Sequence, residues 1–155
     1  MVRNTRSRSS HRRAAAPALL VVLAVAFLAL AVGACAAKGN KLTGPVWQLT
    51  GATEKVPPSE TAIPAADQPR YAIKFADDGT AAITADCNNV TATYTTSGSQ
   101  LDLTLGISTL AACPDDSIAD KFLGALELAT SFNVHGNGLT LYLGNEGTIE
   151  LAAAP

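Results

Sequence analysis

From residue 46 onward, apolar and polar positions alternate in short runs broken by glycine and asparagine, the period-two signature of half-buried strands. "VWQLT" (46–50) opens the series and holds the single tryptophan. In "RYAIKFADDGTAAITA" (70–85), Tyr71, Ile73 and Phe75 alternate with Ala72 and Lys74, and Asp78-Gly79 supplies the positive φ of a tight turn, so a hairpin is predicted. "TATYTT" and "QLDLTL" form the next pair across Ser97-Gly98-Ser99, with Leu101, Leu103 and Leu105 on one face. "SFNVHG" and "LTLYLG" follow across Gly136-Asn137-Gly138, and "GTIELA" ends the chain. Links this short make neighbouring strands antiparallel. Two stretches break the alternation. "PDDSIADKFLGALELATS" (114–131) places apolar residues at 118, 122, 125, 126 and 129, which is helical spacing and predicts one helix of about four turns. Pro114 and the acidic pair Asp115-Asp116 suit its N-terminal end, and Gly124 suggests close packing on the sheet. "GATEKVPPSETAIPAADQP" (51–69), with four prolines, is expected to be a long loop without a regular element. The expected fold is α+β: a strongly bent, open-barrel-like antiparallel sheet of about seven or eight strands, packed on one helix in a single domain.

The N-terminus follows different rules. Arg3, Arg6, Arg8, Arg12 and Arg13 precede an apolar run from Ala14 to Ala34 that contains no charge. A basic region followed by an apolar one is the layout of an export signal. The run ends in Val32-Gly33-Ala34-Cys35, which resembles the lipobox of bacterial lipoproteins, where the signal is cut before a cysteine whose thiol takes the lipid. An uncleaved anchor remains an alternative, since the run is long enough to span a bilayer. So does plain secretion after an Ala-x-Ala cut, and Arg12-Arg13 leaves the export route open between the general and twin-arginine pathways. The organisation expected is therefore a signal over 1–34, a lipidated Cys35 with a short tether to residue 45, and a domain over 46–155. The protein would sit on the outer face of a bacterial cell membrane, held in the bilayer by palmitate-like acyl chains on Cys35.

Removing the signal changes the charge. Six bases (Lys38, Lys41, Lys55, Arg70, Lys74, Lys121) then face all thirteen acids, a net charge of −7. Such a surface repels phosphate backbones, so no nucleic acid partner is expected. It gains nothing from anionic headgroups either, which leaves the acyl chains as the means of attachment.

With Cys35 lipidated, Cys87 and Cys113 remain. In an exported domain two cysteines are expected to pair, fastening the start of the helix to the sheet. A catalytic thiol would need a base, and the one histidine beyond the signal, His135, falls at a strand end with nothing to join it to either cysteine. A zinc site needs about four ligands at suitable spacing, and neither CxxC nor HxxxH is present. Asp77-Asp78-Gly79 and Asp115-Asp116 lack the regular oxygen spacing of a calcium loop. Nothing points to paired glycosidase carboxylates, and the chain has no Gly-x-Ser-x-Gly, phosphate loop or dinucleotide fingerprint. No catalytic residue, metal or cofactor is assigned. The Asn89-Val90-Thr91 sequon is incidental in a bacterial lipoprotein.

Trp47 and Leu49, the strand before Asp78-Gly79, Cys87-Asn88, a tyrosine seven residues after that cysteine, Thr109 through Cys113-Pro114, and Leu139 with Leu141 together resemble the META/HslJ-like domain over roughly residues 45–152. Asp86 and Ala92 stand where that family usually has glycine. The resemblance implies small envelope or secreted proteins, often lipoproteins, with a sheet curled around a helix and loose links to heat shock, motility or drug tolerance. It implies no enzymatic activity. The expectation is a membrane-anchored, non-enzymatic binding or stress-related module whose partner is an envelope protein or small ligand, with the 51–69 loop and Asn88, Asn89 and Thr91 as contact surface. The alternative is a carrier holding a small apolar molecule or lipid between sheet and helix.

Overall fold

The computed structural model describes residues 42–155; the expected signal segment and Cys35 lie outside the described residues. Among the described residues, nine strands and one α-helix follow in the order β1 (Trp47–Lys55), β2 (Pro58–Ala62), β3 (Tyr71–Phe75), β4 (Thr80–Ala85), β5 (Asn88–Ser97), β6 (Gln100–Ser108), α1 (Ala119–Glu127), β7 (Ser131–His135), β8 (Gly138–Tyr142) and β9 (Gly147–Ala153), with a single 3-10 turn at Gln68–Arg70 before β3. The strands lie side by side as β1-β3-β4-β5-β6-β7-β8-β9, and β9 returns to pair with β1, so the sheet curves into a ring. Every pairing between named strands is antiparallel.

The alternation read from the sequence becomes the division between the ring's interior and its outer face. Trp47, Leu49, Ile73, Phe75, Ile83, Leu103, Leu139, Leu141, Ile149 and Leu151 all turn inward and are buried. Cross-strand partners such as Ile73 with Ile83 and Leu139 with Leu151 place like against like, which is how pairing and burial reinforce one register. The Trp47 indole N–H donates to the Leu42 carbonyl at 2.7 Å, so the largest side chain is buried without an orphaned donor. Tyr94 does the same through its hydroxyl to the Ala76 carbonyl at 2.6 Å while its ring meets Phe75 edge to face.

The ninth strand comes from the proline-rich segment. The expectation that 51–69 lacks regular structure is corrected: β1 runs on to Lys55, and β2 pairs with it from Gly51↔Ala62 to Lys55↔Pro58. The prolines are tolerated because of where they fall. Pro57 sits in the turn, Pro58 is the first residue of an edge strand, and Pro64 and Pro69 lie beyond its end. Every residue of β2 is exposed, so no apolar alternation advertised it.

The ring is weakest between β6 and β7, which share the single register pair Gln100↔Ser131. α1 connects these two strands and packs against β4 and β6, burying Ala119, Phe122 and Leu126, with the Phe122 ring edge-on to Tyr71 at 6.0 Å. It is shorter than the predicted 114–131. At its start, Cys113 is held by a disulfide, residues 114–117 form a turn, and the Ile118 N–H donates to the Tyr71 hydroxyl at 3.1 Å. Asp115 and Asp116 therefore precede the helix rather than open it, and Asp120 takes the first-turn position. At its end, the Thr130 N–H donates to the Tyr142 carbonyl, drawing the chain into the sheet. Gly124 does not serve close packing either: a methyl group there would meet nothing within 4 Å.

Candidate binding site at the disulfide-clamped end

The motif residues scattered along the sequence converge beside the two-residue turn between β4 and β5. Ala85 pairs with Asn88, so Asp86 and Cys87 form the turn. Asp86 has φ +57°, the one positive φ at a non-glycine residue among those described. This is the position where the family resemblance expects glycine, and the glycine-type backbone is kept. Aspartate tolerates it better than most residues, because its short polar side chain bonds locally.

Here that side chain has strong partners. Arg70 donates to it from both Nε, at 2.9 Å to Oδ1, and Nη2, at 2.7 Å to Oδ2. The same guanidinium donates to Asp67 at 3.1 Å and lies 5.6 Å from the centre of the Tyr71 ring. The fork-shaped pairing, aided by the Ser117 hydroxyl, holds the Asp86 carboxyl below its ordinary range. A depressed value means stabilisation that is present above the unfolded carboxyl value, near 3.8, and lost as pH falls through the lower folded one. Asp86→Asn keeps a residue suited to positive φ and removes the charge. The variant is expected to melt below the wild type near neutral pH, with the gap closing as pH falls from the ordinary carboxyl value, near 3.8, through the lower folded one. Melting curves across that range check this, and a gap independent of pH would contradict it.

Cys87 is joined to Cys113 with Cα atoms 5.4 Å apart, the pairing that the cysteine count predicts. Asn88 then clamps the loop that leads to Cys113. Its Oδ1 accepts from the Thr109 hydroxyl at 3.0 Å and the Ala111 N–H at 2.8 Å, while its Nδ2 donates to the Ala111 carbonyl at 3.2 Å. Nδ2 also lies 3.3 Å from the Cys87 sulfur and 3.4 Å from that of Cys113. Asn89 adds a backbone exchange: its N–H donates to Thr109 Oγ1, and its carbonyl accepts from the Thr109 N–H. Thr91 donates to the Ile107 carbonyl at 3.3 Å, where β6 bulges against β5.

Of the three residues expected to form a contact surface, Asn88 is thus half-buried and fully engaged as a clamp, while Asn89 and Thr91 are exposed on β5. What the clamp presents is a feature the sequence reading missed. Leu110 stands between the bonds to Thr109 and Ala111 and is 96% exposed, and Ile107 beside it is 84% exposed. Its signal was in the sequence, as "GISTLAACP" carries apolar residues that fit neither the β6 alternation nor the helix. A small polar cleft of about 260 Å³ adjoins, lined by Asn88, Ala111, Pro114, Ser117 and Asp120. Among the described residues no group of three or more His, Cys, Asp or Glu side chains could hold a metal. His135 lies on another wall, 3.4 Å from the Thr140 hydroxyl, which donates to Glu150 at 2.7 Å.

Two solved structures are similar. One is an NMR structure of a protein from Burkholderia xenovorans, 24% identical, with a TM-score of 0.59 over 73% of this chain and 83% of its own. The other is a crystal structure of a DUF4847 family protein from Bacteroides vulgatus, 16% identical, with a TM-score of 0.54 over 72% of this chain and 94% of its own. At these identities the likeness is one of fold. No curated protein sequence matches. The family model of the META domain matches residues 40–155, which takes in every element of the ring and both halves of the clamp, and the chain belongs to the META domain family.

Proposed function

We propose that this protein is a lipid-anchored, non-enzymatic binding module of the bacterial envelope, attached to the outer face of the membrane through acylated Cys35. The observation that carries the binding reading is Leu110. Leaving a leucine side chain in water forgoes roughly 1.5–3 kcal/mol of burial. A loose loop could fold back to recover some of it; this one is pinned on both sides by Asn88 and by the disulfide. An apolar side chain held out by a rigid support loses little entropy when a partner covers it. The available chemistry also favours binding over catalysis, since the Cys87 and Cys113 sulfurs are bonded to one another and His135 is directed to Thr140.

The carrier reading fits less well. The space between sheet and helix is filled by Phe122 and Leu126 packed on Trp47, Ile73 and their neighbours, and an apolar ligand there would have to displace them.

Cys35→Ser in the producing bacterium tests the anchor. The wild type is expected to fractionate with membranes and to incorporate an alkyne fatty acid, and the variant to do neither. A variant that stays in the membrane would show that the 14–34 segment is the anchor instead. Photocrosslinking from many surface positions in intact cells tests binding, and adducts from none of them would overturn it.

A further inference from the structure

The ring has two ends, and exposed apolar side chains are divided unevenly between them. The described chain enters at one end, where Thr43 bridges Phe75 at the end of β3. The β3–β4 turn at Asp77-Asp78, the β7–β8 turn at Gly136-Asn137 and the C-terminus share that end, with the Ala153 N–H bonded to the Asn137 carbonyl and that of Ala154 to Val46. The opposite end carries the β1–β2 tip, the β4–β5 turn, the clamped 109–118 loop and the β8–β9 turn. Six large apolar side chains are exposed among the described residues. Val46 belongs to the entry end, and Val56, Ile107, Leu110, Leu128 and Tyr142 to the far end.

These residues form two kinds of relief. Leu110 and Ile107 project from the clamp. Val56, 84% exposed at the β1–β2 tip, borders a groove of about 400 Å³ against α1, lined also by Gly124, Ala125, Leu128 and Leu143. The Lys55 N–H donates to the Glu146 carbonyl at 2.8 Å, which ties the tip to the β8–β9 turn and fixes the groove's outer wall. Gly124, which meets nothing within 4 Å, contributes open space to the groove floor. Charge at this end leans acidic, although Lys121 lines the groove beside Glu54 and Glu146. Glu54, Asp115, Asp120 and Glu146 are exposed, and among the described residues every ion pair is made by Arg70, to Asp67, Asp86 or Asp116. Only Lys55 and Lys121 stand near as further bases.

We propose that the far end of the ring is a protein-docking face whose partner presents apolar surface bordered by lysine and arginine. Apolar contacts ringed by complementary charge are the anatomy of a specific protein interface. A lipid surface fits poorly, because an acidic rim is repelled by anionic headgroups. The inference rests on the anchored binding module proposed above for its orientation: a tether entering at one end leaves the other facing outward.

Photoreactive residues placed singly at Val56, Leu110 and Leu128, and at Asp78 and Asn137 on the entry end, test this in the full chain in intact cells. All three far-end positions are expected to give adducts with one and the same exported protein, at sites flanked by lysine or arginine. The entry-end positions should give at least about 10-fold less. Combining Asp115→Lys with Glu146→Lys, both exposed and neither in the helix, should cut the far-end adducts by about 10-fold while leaving the melting temperature of the purified protein in place. Adducts to lipid, adducts to a second copy of the chain, equal yields from both ends, or indifference to the charge reversal would each overturn the proposal. Adducts confined to positions 78 and 137 would overturn it while leaving the binding-module reading intact, and adducts from nowhere would sink both.

Discussion

Replacing both Cys87 and Cys113 by serine is expected to lower stability by about 3–4 kcal/mol, a fall in melting temperature of roughly 10–20 °C. The two residues lie 26 positions apart, and the estimate is the chain entropy that the bridge removes from the unfolded state. For a domain of this size it is a large share of the total. The loss is expected to have a local signature too. Asn88 Nδ2 is in contact with both sulfurs, and the same side chain holds Thr109 and Ala111. Without the bridge the 109–114 loop is held by these hydrogen bonds and by the Asn89–Thr109 exchange, so the Thr109 and Ala111 amides should exchange with solvent well before those of β4 and β5. A double variant that melts within about 3 °C of the wild type, with exchange at these amides unchanged, would show that the loop is held by something other than the bridge.

Gly147→Ala is expected to cost about 3 kcal/mol or more, a large value for a single added methyl group. Gly147 has φ +154°, and a Cβ there would overlap the Thr53 carbonyl and come within 3.1 Å of the Glu54 Cα. Both obstacles are backbone, so neither can rotate aside. The glycine is paired with Glu54 in the ladder that closes β9 onto β1, and its carbonyl accepts the Leu143 N–H of the β8–β9 turn. Relief of the clash therefore means opening the ring at its closure. Gly79, at φ +82°, makes a useful comparison, since a Cβ there would meet only the Tyr94 carbonyl at 3.3 Å. Alanine at Gly79 should cost about 1–2 kcal/mol. Urea unfolding of both variants checks the ranking. Equal midpoints would mean that the β1–β9 closure yields more easily than its geometry implies.

Much of the ring was legible because its information is local. The β3–β4, β5–β6 and β7–β8 hairpins each carry their own alternation and turn residues, and those two features set strand type and pairing direction without reference to the rest of the chain. Asp78-Gly79 illustrates how complete the local signal can be: Asp78 Oδ1 accepts from both the N–H and the hydroxyl of Thr80, so the turn is held by residues adjacent in sequence. β2 was illegible for the opposite reason. It is exposed on all five residues and bounded by prolines, and what makes it a strand is pairing with β1. The helix was read at the right place and too long, because its ends are set by the disulfide and Tyr71 on one side and by the Tyr142 carbonyl on the other. None of these is adjacent to the helix in sequence.

The candidate site divides in the same way. Cys87 and Cys113 could be paired by counting, since two cysteines allow one bridge. The inward turn of Asn88 could not, because its five contacts in the clamp are made with Cys87 next to it and with a loop more than twenty residues away. Nor could Asp86 be understood alone: an aspartate at a glycine position makes sense once Arg70, sixteen residues earlier, is seen to hold it with two hydrogen bonds.

By itself, then, the sequence determined the α+β class, the antiparallel hairpins, the single bridge and the membership hinted at by the motifs, because periodicity, turn chemistry and cysteine number are properties of neighbours along a chain. Only the tertiary structure decided that β9 closes on β1, that Asn88 is a clamp rather than a contact, and that Leu110, Ile107 and Val56 share one end of the ring. Those outcomes depend on which distant segments compete successfully for the same backbone groups and the same buried space, and that competition is settled when the ring closes.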